Sequence, residues 1–190
     1  MRILIFGGSF NPVHIGHLFI AQAAAQECGY EKVLFIPAYA APHKDTPVAV
    51  DGEERLRMLK TAVQGNSDFL VETCELERKG ASYTIDTIKE LYPKYQPQGK
   101  FGLLIGDDLA AGFHTWERAD ELSNLIDLVI AKRDNQKAPQ INYHFTLLKN
   151  RLLPISSTQI RKMLENTERC TRYLLPSGVY DYITEKRLYV

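Results

Sequence analysis

The sequence predicts an α/β protein: a Rossmann-like, doubly wound parallel sheet with a small helical segment at the C-terminal end, about residues 156–190. Three observations predict it. Short apolar runs alternate with stretches whose apolar residues recur every three or four positions. The first run ends in the pair Gly7-Gly8, just before a helix pattern begins. Polar and glycine-rich residues cluster after the apolar runs, on the side where such a sheet keeps its ligand crevice.

The elements follow in order. Ile3-Leu4-Ile5-Phe6 reads as a strand buried on both faces. Leu18 to Cys28 is Ala-rich, with Leu18, Phe19, Ala21, Ala25 and Cys28 near helical spacing and Gly29 placed to stop the helix. Lys32 to Ile36 is a second strand, closed by Pro37, which completes a βαβ crossover. Glu53 to Val63 is helical through Leu56, Leu59 and Val63, and Phe69-Leu70-Val71 is a strand. Thr84 to Tyr92 is helical through Ile85, Ile88, Leu91 and Tyr92. Phe101 to Ile105 is a strand ending at Gly106, and Leu128 to Ala131 is another ending near Arg133. Residues 37–52 hold Pro37, Pro42 and Pro47 and no helical period, a loop of the length usually kept for function and a candidate lid. Residues 133–145 are polar and read as a surface connection. Gly7–His17, Pro37–Lys44, Gly106–Asp108 and Arg133 all follow strands, so they are expected to meet at one edge.

With 190 residues the chain has the size of one domain, residues 1–190, able to bury roughly 70% of its unfolded surface. Apolar residues make up 45% and charged residues 24%, which excludes a disordered, collagen-like or coiled-coil chain. Lys plus Arg and Asp plus Glu both number 23. That balance argues against a nucleic-acid coat or a membrane-surface protein. Charge is uneven, however: residues 45–131 carry nine basic and sixteen acidic side chains, whereas residues 132–190 carry eleven and five. Either chance scatter or a local anion site towards the C-terminal end accounts for this. The three cysteines are far apart, with no CxxC pair, so neither a disulfide framework nor a structural zinc site can be read. No apolar stretch approaches the ~20 residues of a membrane span, and four apolar residues before Gly7 are too few for a leader. The expected compartment is the cytoplasm.

Gly7-Gly8-Ser9-Phe10-Asn11-Pro12-Val13-His14-Ile15-Gly16-His17 is neither a Walker loop nor GxGxxG. Its glycines let the backbone approach a ligand, and the helix that follows offers N–H groups and a positive dipole end to an anion. His14 and His17, three apart, can share one face of the first turn. Each could instead be an ordinary capping or surface histidine, and a metal pair would lack an evident third ligand. Further on, Ser156 with Gln159 three residues later forms a capping box that opens a helix. Arg161 and Lys162 stand in its first turns, where the dipole disfavours cations unless an anion is bound. Hydroxyls, N–H groups and a guanidinium together suit a polyphosphate.

This ordered set resembles the HxGH nucleotidyltransferase superfamily, and more narrowly the bacterial nicotinate-nucleotide adenylyltransferases. The resemblance rests on Gly8 to His17, Pro42-His43-Lys44, Ser82-Tyr83-Thr84, Gly106-Asp107-Asp108, Trp116 and Ile155 to Arg161, and it spans residues 7–161. Asp107 departs from the small residue common in that family, an effect expected to stay within local packing. The resemblance implies that ATP and nicotinate mononucleotide give nicotinate adenine dinucleotide and pyrophosphate, with Mg²⁺ carried by ATP. It implies catalytic roles for His14, His17, Lys44 and Arg161. ATP would be held by Gly7, Gly8, Ser9, Phe10, Gly106, Asp108, Ser157 and Thr158, with Asp108 accepting from a ribose hydroxyl. The acceptor would meet Asn11, Ser82, Tyr83, Thr84, Trp116 and Arg133. Trp116 is either a face for the pyridinium or a core aromatic, and Arg133 either a phosphate contact or a surface charge. Oligomeric state stays open.

Three other readings compete. Class I aminoacyl-tRNA synthetases share His-x-Gly-His but are far longer and carry a Lys-rich second motif that is absent here. Pantetheine-phosphate adenylyltransferases share the fold and the Ile-Ser-Ser-Thr signature, but generally have Thr where His14 stands. A non-catalytic nucleotide sensor would not need Arg161 and Lys44 against a leaving pyrophosphate.

Overall fold

The apolar runs become strands β1 (Ile3–Gly8), β2 (Lys32–Pro37), β3 (Phe69–Val71), β4 (Phe101–Gly106), β5 (Ile126–Ala131) and β6 (Phe145–Leu147). In the computed structural model, which describes residues 1–40, 50–133 and 139–189, these strands form one sheet in the order β3-β2-β1-β4-β5-β6. Every pairing is parallel. Strand order reverses between β1 and β4, so the crevice lies beyond their carboxyl ends.

Continuous apolar strands are needed because both faces are covered. Leu4, Val33, Phe35, Leu104 and Val129 point to one face, where they meet α1 (Ile15–Cys28), α2 (Gly52–Val63), α7 (Ser157–Glu165) and α8 (Val179–Lys186). Ile3, Ile5, Leu34, Ile36, Leu103 and Ile105 point to the other. There they meet α3 (Cys74–Arg78), α4 (Thr84–Tyr95), α5 (Asp107–Ala110) and α6 (Ala119–Leu125). Short 3-10 turns cover Phe113–Thr115 and Arg169–Tyr173. Among the described residues no helix is long and apolar enough to cross a membrane.

Several boundaries differ from the expectations. Helix α1 starts at Ile15 rather than Leu18, because extended His14 serves as its N-cap (φ −141°, ψ 168°). Helix α4 runs three residues past Tyr92, through Pro93, and its end is fastened by Tyr92 Oη donating to Leu125 O (2.6 Å) and Tyr95 Oη to Glu72 Oε2 (2.7 Å). The surface connection at 133–145 ends in an unexpected edge strand, β6, whose three residues, with Thr146 exposed between two half-buried neighbours, are too few to show a period. On α2 the buried face is Arg55, Met58, Leu59 and Val63, with Leu56 only half-buried. A cation therefore occupies the place the periodicity gave to leucine.

Gly102, central in β4, lies beneath the Tyr30 ring. A Cβ there would stand 2.4 Å from Tyr30 Cζ and 2.7 Å from Leu4 Cδ1. The ring is held in place by the Arg2 guanidinium, 4.6 Å above its centroid. Overpacking of a tight site costs about 1–3 kcal/mol. Gly102→Ala is expected to lower the unfolding free energy by that much, read as a lower urea midpoint at unchanged slope; an unmoved midpoint would show that Tyr30 can yield.

Candidate active site

The loop after β1 is shaped by burial of a phenylalanine. Phe10 takes a left-handed backbone (φ 45°) yet its side chain is buried. Such a conformation at a bulky residue costs of order 1–3 kcal/mol and survives because packing over-determines it. The ring meets Phe6 (5.6 Å), Phe35 (5.9 Å) and His17 (5.1 Å). It also closes on Gly8, where a Cβ would lie 3.2 Å from Cζ. Phe10 thus contributes backbone to the cleft and its side chain to the core. The Asn11–Pro12 peptide that follows is cis.

The two histidines stack, with ring centroids 3.7 Å apart. His14 N–H donates to His17 Nδ1 (3.1 Å), so His17 is neutral and carries its proton on Nε2. His14 is 3% exposed and neither ring nitrogen has a hydrogen-bond partner among the described residues. Burial, aided by the nearby Arg133 guanidinium, lowers its pKa to about 3. Its ring lies over Gly16, where a Cβ would be 3.0 Å from Nδ1, so the glycine between the histidines makes room for the first of them. Two backbone N–H groups of this first turn are engaged within the protein itself. Ile15 N–H already bonds Leu174 O (3.1 Å), and His17 N–H bonds His14 O (3.0 Å).

Helix α7 is fastened to the same loop. Ser156 caps it, accepting from Gln159 N–H (3.2 Å), while Gln159 Oε1 accepts from Ser156 N–H (3.0 Å). Ser157 Oγ donates to Pro12 O (2.9 Å) and Arg161 Nη1 to Asn11 O (2.8 Å). A second guanidinium nitrogen, Arg161 Nη2, donates to Thr158 Oγ1 (3.2 Å). Ser157 has its hydroxyl proton committed to Pro12, so what it can offer an anion is its N–H in the first turn.

Across the cleft, Arg133 Nη1 donates to Asp108 Oδ2 (2.8 Å) and Arg133 N–H to Asp107 Oδ1 (3.1 Å). The departure at Asp107 is therefore more than local packing: its carboxylate holds the backbone of Arg133. Gly106 leaves room for this pair, since a Cβ would lie 2.2 Å from Asp108 Oδ1 and 2.6 Å from Arg133 Cδ and would displace both side chains. Ser82, Tyr83 and Thr84 sit beside the end of β2. Ser82 N–H bonds Ala40 O (3.0 Å), Ser82 Oγ accepts from Tyr39 N–H (3.0 Å), and Tyr83 is the N-cap of α4. Trp116 is half-buried against Phe113, 5.2 Å between centroids, so it is partly a core aromatic and partly a surface one. Arg118 pairs with Asp86, which ties the Trp116 segment to the first turn of α4. Lys44, with Pro42 and His43, lies outside the described residues.

Comparison with known proteins agrees with this fold. The cytidylyltransferase-like family model matches residues 5–163. The probable nicotinate-nucleotide adenylyltransferase of Borreliella afzelii is 37% identical over 190 residues, all of this chain and 97% of its own length. Its counterpart of the same name in Streptococcus pyogenes is 39% identical, over 99% of this chain and 88% of its own. The chain belongs to the nicotinate-nucleotide adenylyltransferase family. It is with that family a nucleotidyltransferase. The fold is shared with Plasmodium falciparum nicotinic acid mononucleotide adenylyltransferase complexed with NaAD (TM-score 0.78, 18% identity, 99% of this chain and 97% of that one).

Two residues joined to the loop were missed in the sequence of this family member. Arg55, 2% exposed, donates from Nη1 to Ser9 O (2.8 Å), and burial lowers its pKa. Its signal was present as a cation on the apolar face of α2. Tyr189 donates its hydroxyl to Asn11 Oδ1, and nothing near it in sequence marks that role.

The buried His14 has a thermodynamic consequence. Its folded pKa of about 3 lies below the ordinary 6.5, so the fold favours neutral imidazole. The stability this contributes is present above pH 6.5 and lost as pH falls towards 3. At pH 4.5 the loss is about 2–3 kcal/mol by linkage. The melting temperature of the wild type relative to His14→Asn should therefore drop between pH 7 and pH 4.5; parallel curves would mean that solvent reaches the ring.

Proposed function

We propose that this chain joins ATP and nicotinate mononucleotide, giving nicotinate adenine dinucleotide and pyrophosphate in the cytoplasmic synthesis of NAD. The observation that carries the reading is the union of the stacked His14–His17 pair with the first turn of α7, through Arg161 and Ser157, at the crevice of the sheet. The names of its relatives support the choice of substrates.

The acceptor phosphate is a monoester with a second pKa of about 6, so it is already ionised at neutral pH and needs no base. One of its oxygens attacks the α-phosphorus in line, and the bond to the β-phosphate bridge oxygen breaks with its electron pair leaving on pyrophosphate. Alignment and charge stabilisation are what the protein supplies. His17 Nε2–H donates to an α-phosphate oxygen, in the tautomer that His14 N–H imposes. His14, buried with both ring nitrogens unpartnered among the described residues, fits a phosphate oxygen that accepts from it. Arg161, Thr158 and the N–H groups at the start of α7 hold the leaving phosphates, and Lys44 is assigned the part of a further positive charge for them. Gly7 to Phe10 offer backbone to the nucleotide, while Asp108 reaches a ribose hydroxyl and steadies Arg133. Asn11 and Arg133 face the acceptor phosphate. Ser82, Tyr83, Thr84 and Trp116 receive the nicotinate ring. Mg²⁺ would enter as MgATP, with phosphate oxygens and water suited to its coordination.

Pyrophosphate release from MgATP and nicotinate mononucleotide tests the reading directly. His17→Ala should reduce kcat on the order of 10²–10³-fold with the fold intact, as loss of a transition-state donor does. A folded variant with near wild-type turnover would refute the role.

Arg161→Ala is expected to raise the KM for ATP and to slow turnover, and Arg161→Lys to restore only part. A point charge cannot grip Asn11 O and a phosphate through one fixed fork. Full activity in the lysine variant would remove Arg161 from the phosphate site.

The acceptor should be chosen by its carboxylate. N–H donors at the start of α4 satisfy a carboxylate, whereas the amide of nicotinamide confronts them with its own N–H₂. One unsatisfied buried donor costs ~1–3 kcal/mol, so kcat/KM should favour nicotinate mononucleotide by about tenfold or more. Equal values for the two acceptors would discard the carboxylate pocket.

A further inference from the structure

The end of the chain returns to its first motif. Beyond α8, Arg187 and Tyr189 both take left-handed backbone (φ 52° and 64°), and Leu188 N–H bonds back to Ile183 O (3.0 Å). Neither is glycine, and such conformations persist only where the surroundings hold them. Leu188 and Tyr189 pack on the core cluster that contains Phe10 and Ile160. From there the Tyr189 hydroxyl donates to Asn11 Oδ1, across 178 positions of sequence. Asn11 is itself 7% exposed.

The loop is thus gripped from three sides. Arg55 takes Ser9 O, Arg161 takes Asn11 O, and Tyr189 takes the Asn11 side chain. The two guanidiniums flank the phenol, but burial outweighs them and raises its pKa, so the group remains a protonated donor. An asparagine amide has one acceptor edge and one donor edge. A phenol can donate or accept, but beside two guanidiniums its lone pairs favour the cations and its proton is left for Oδ1, so the edge of the amide left for an anion is the N–H₂. A flipped amide would turn its carbonyl towards that anion instead.

We propose that Tyr189 is a positioning residue: its hydroxyl sets the amide of Asn11 donor-outward and steadies the backbone carbonyl that Arg161 grips. The chain's last turn thereby sets the geometry of the phosphate-binding motif. The proposal rests on the adenylyltransferase reading for its assay, while the contacts behind it do not.

The experiment is a double-mutant cycle with wild type, Tyr189→Phe, Asn11→Ala and the double variant. Each is assayed for pyrophosphate release with MgATP and nicotinate mononucleotide, titrated with MgATP by calorimetry, and melted. Phenylalanine keeps the ring and removes only the hydroxyl. Loss of one such hydrogen bond should lower kcat/KM about 3- to 10-fold in Tyr189→Phe. In the Asn11→Ala background the same change should cause no further loss, because the effect passes through Asn11. Wild-type kinetics in Tyr189→Phe would overturn the proposal. So would an equal loss in both backgrounds, since a general loosening of the fold adds to Asn11→Ala. Should Asn11→Ala not fold, Asn11→Asp takes its place: a carboxylate has no donor edge to orient, and again no further loss is expected. If the wild type releases no pyrophosphate, the reaction assignment fails. Tyr189 is then judged on MgATP affinity alone, by the same pattern of one loss without a second.

Discussion

The grip of α7 on the loop after β1 is the constraint on which the site depends. Arg161 and Ser157 hold two consecutive carbonyls, those of Asn11 and Pro12, from 150 and 145 positions away in sequence. That loop carries a buried phenylalanine in a left-handed conformation, so it would relax if unsupported. Its position in turn places His14 as the cap of α1, and the cap's N–H determines the tautomer of His17. The Arg161 guanidinium and the His17 imidazole are therefore coupled through backbone rather than through each other.

Electrostatics reinforce the arrangement. Cations at the N-terminal end of a helix are unfavourable unless they have acceptors, and Arg161 has two in the protein itself. Arg133 is neutralised in part by Asp108 and positioned by Asp107, yet it is close enough to oppose protonation of His14. The result is a cleft of neutral imidazoles with positive charge at its margins. Such a cleft attracts an anion without holding a fixed counter-ion at its centre.

Much of this was legible in the sequence. Strands β1, β2, β4 and β5 were visible because burial on both faces leaves unbroken apolar runs; β3 was read from its three consecutive apolar residues although Leu70 is exposed, and the Ser156–Gln159 box marked the start of α7. Motif spacing also anticipated that the two histidines would lie together. What escaped notice was short or distant. Helices α3 and α5 have five and four residues, and β6 has three, all below the length at which a period can be recognised. Arg55 was overlooked because a buried cation inside an amphipathic pattern looks like a polar interruption. Tyr189 could not be inferred at all, since its partner is at the opposite end of the chain and no local rule couples them.

The separation in sequence has a consequence for synthesis. As the chain emerges from the N-terminal end, β1 and β2 can pair and α1 can pack between them as a βαβ unit. The loop following β1 then exists without Arg161, without Ser157, without the Leu174 carbonyl that receives Ile15, and without Tyr189. A nascent polypeptide that has not yet reached α7 would have all six strands and an unsupported loop after β1. Synthesis of α7 and of the segment through Tyr189 is therefore the step that completes the cleft, after the strands that flank it have been made.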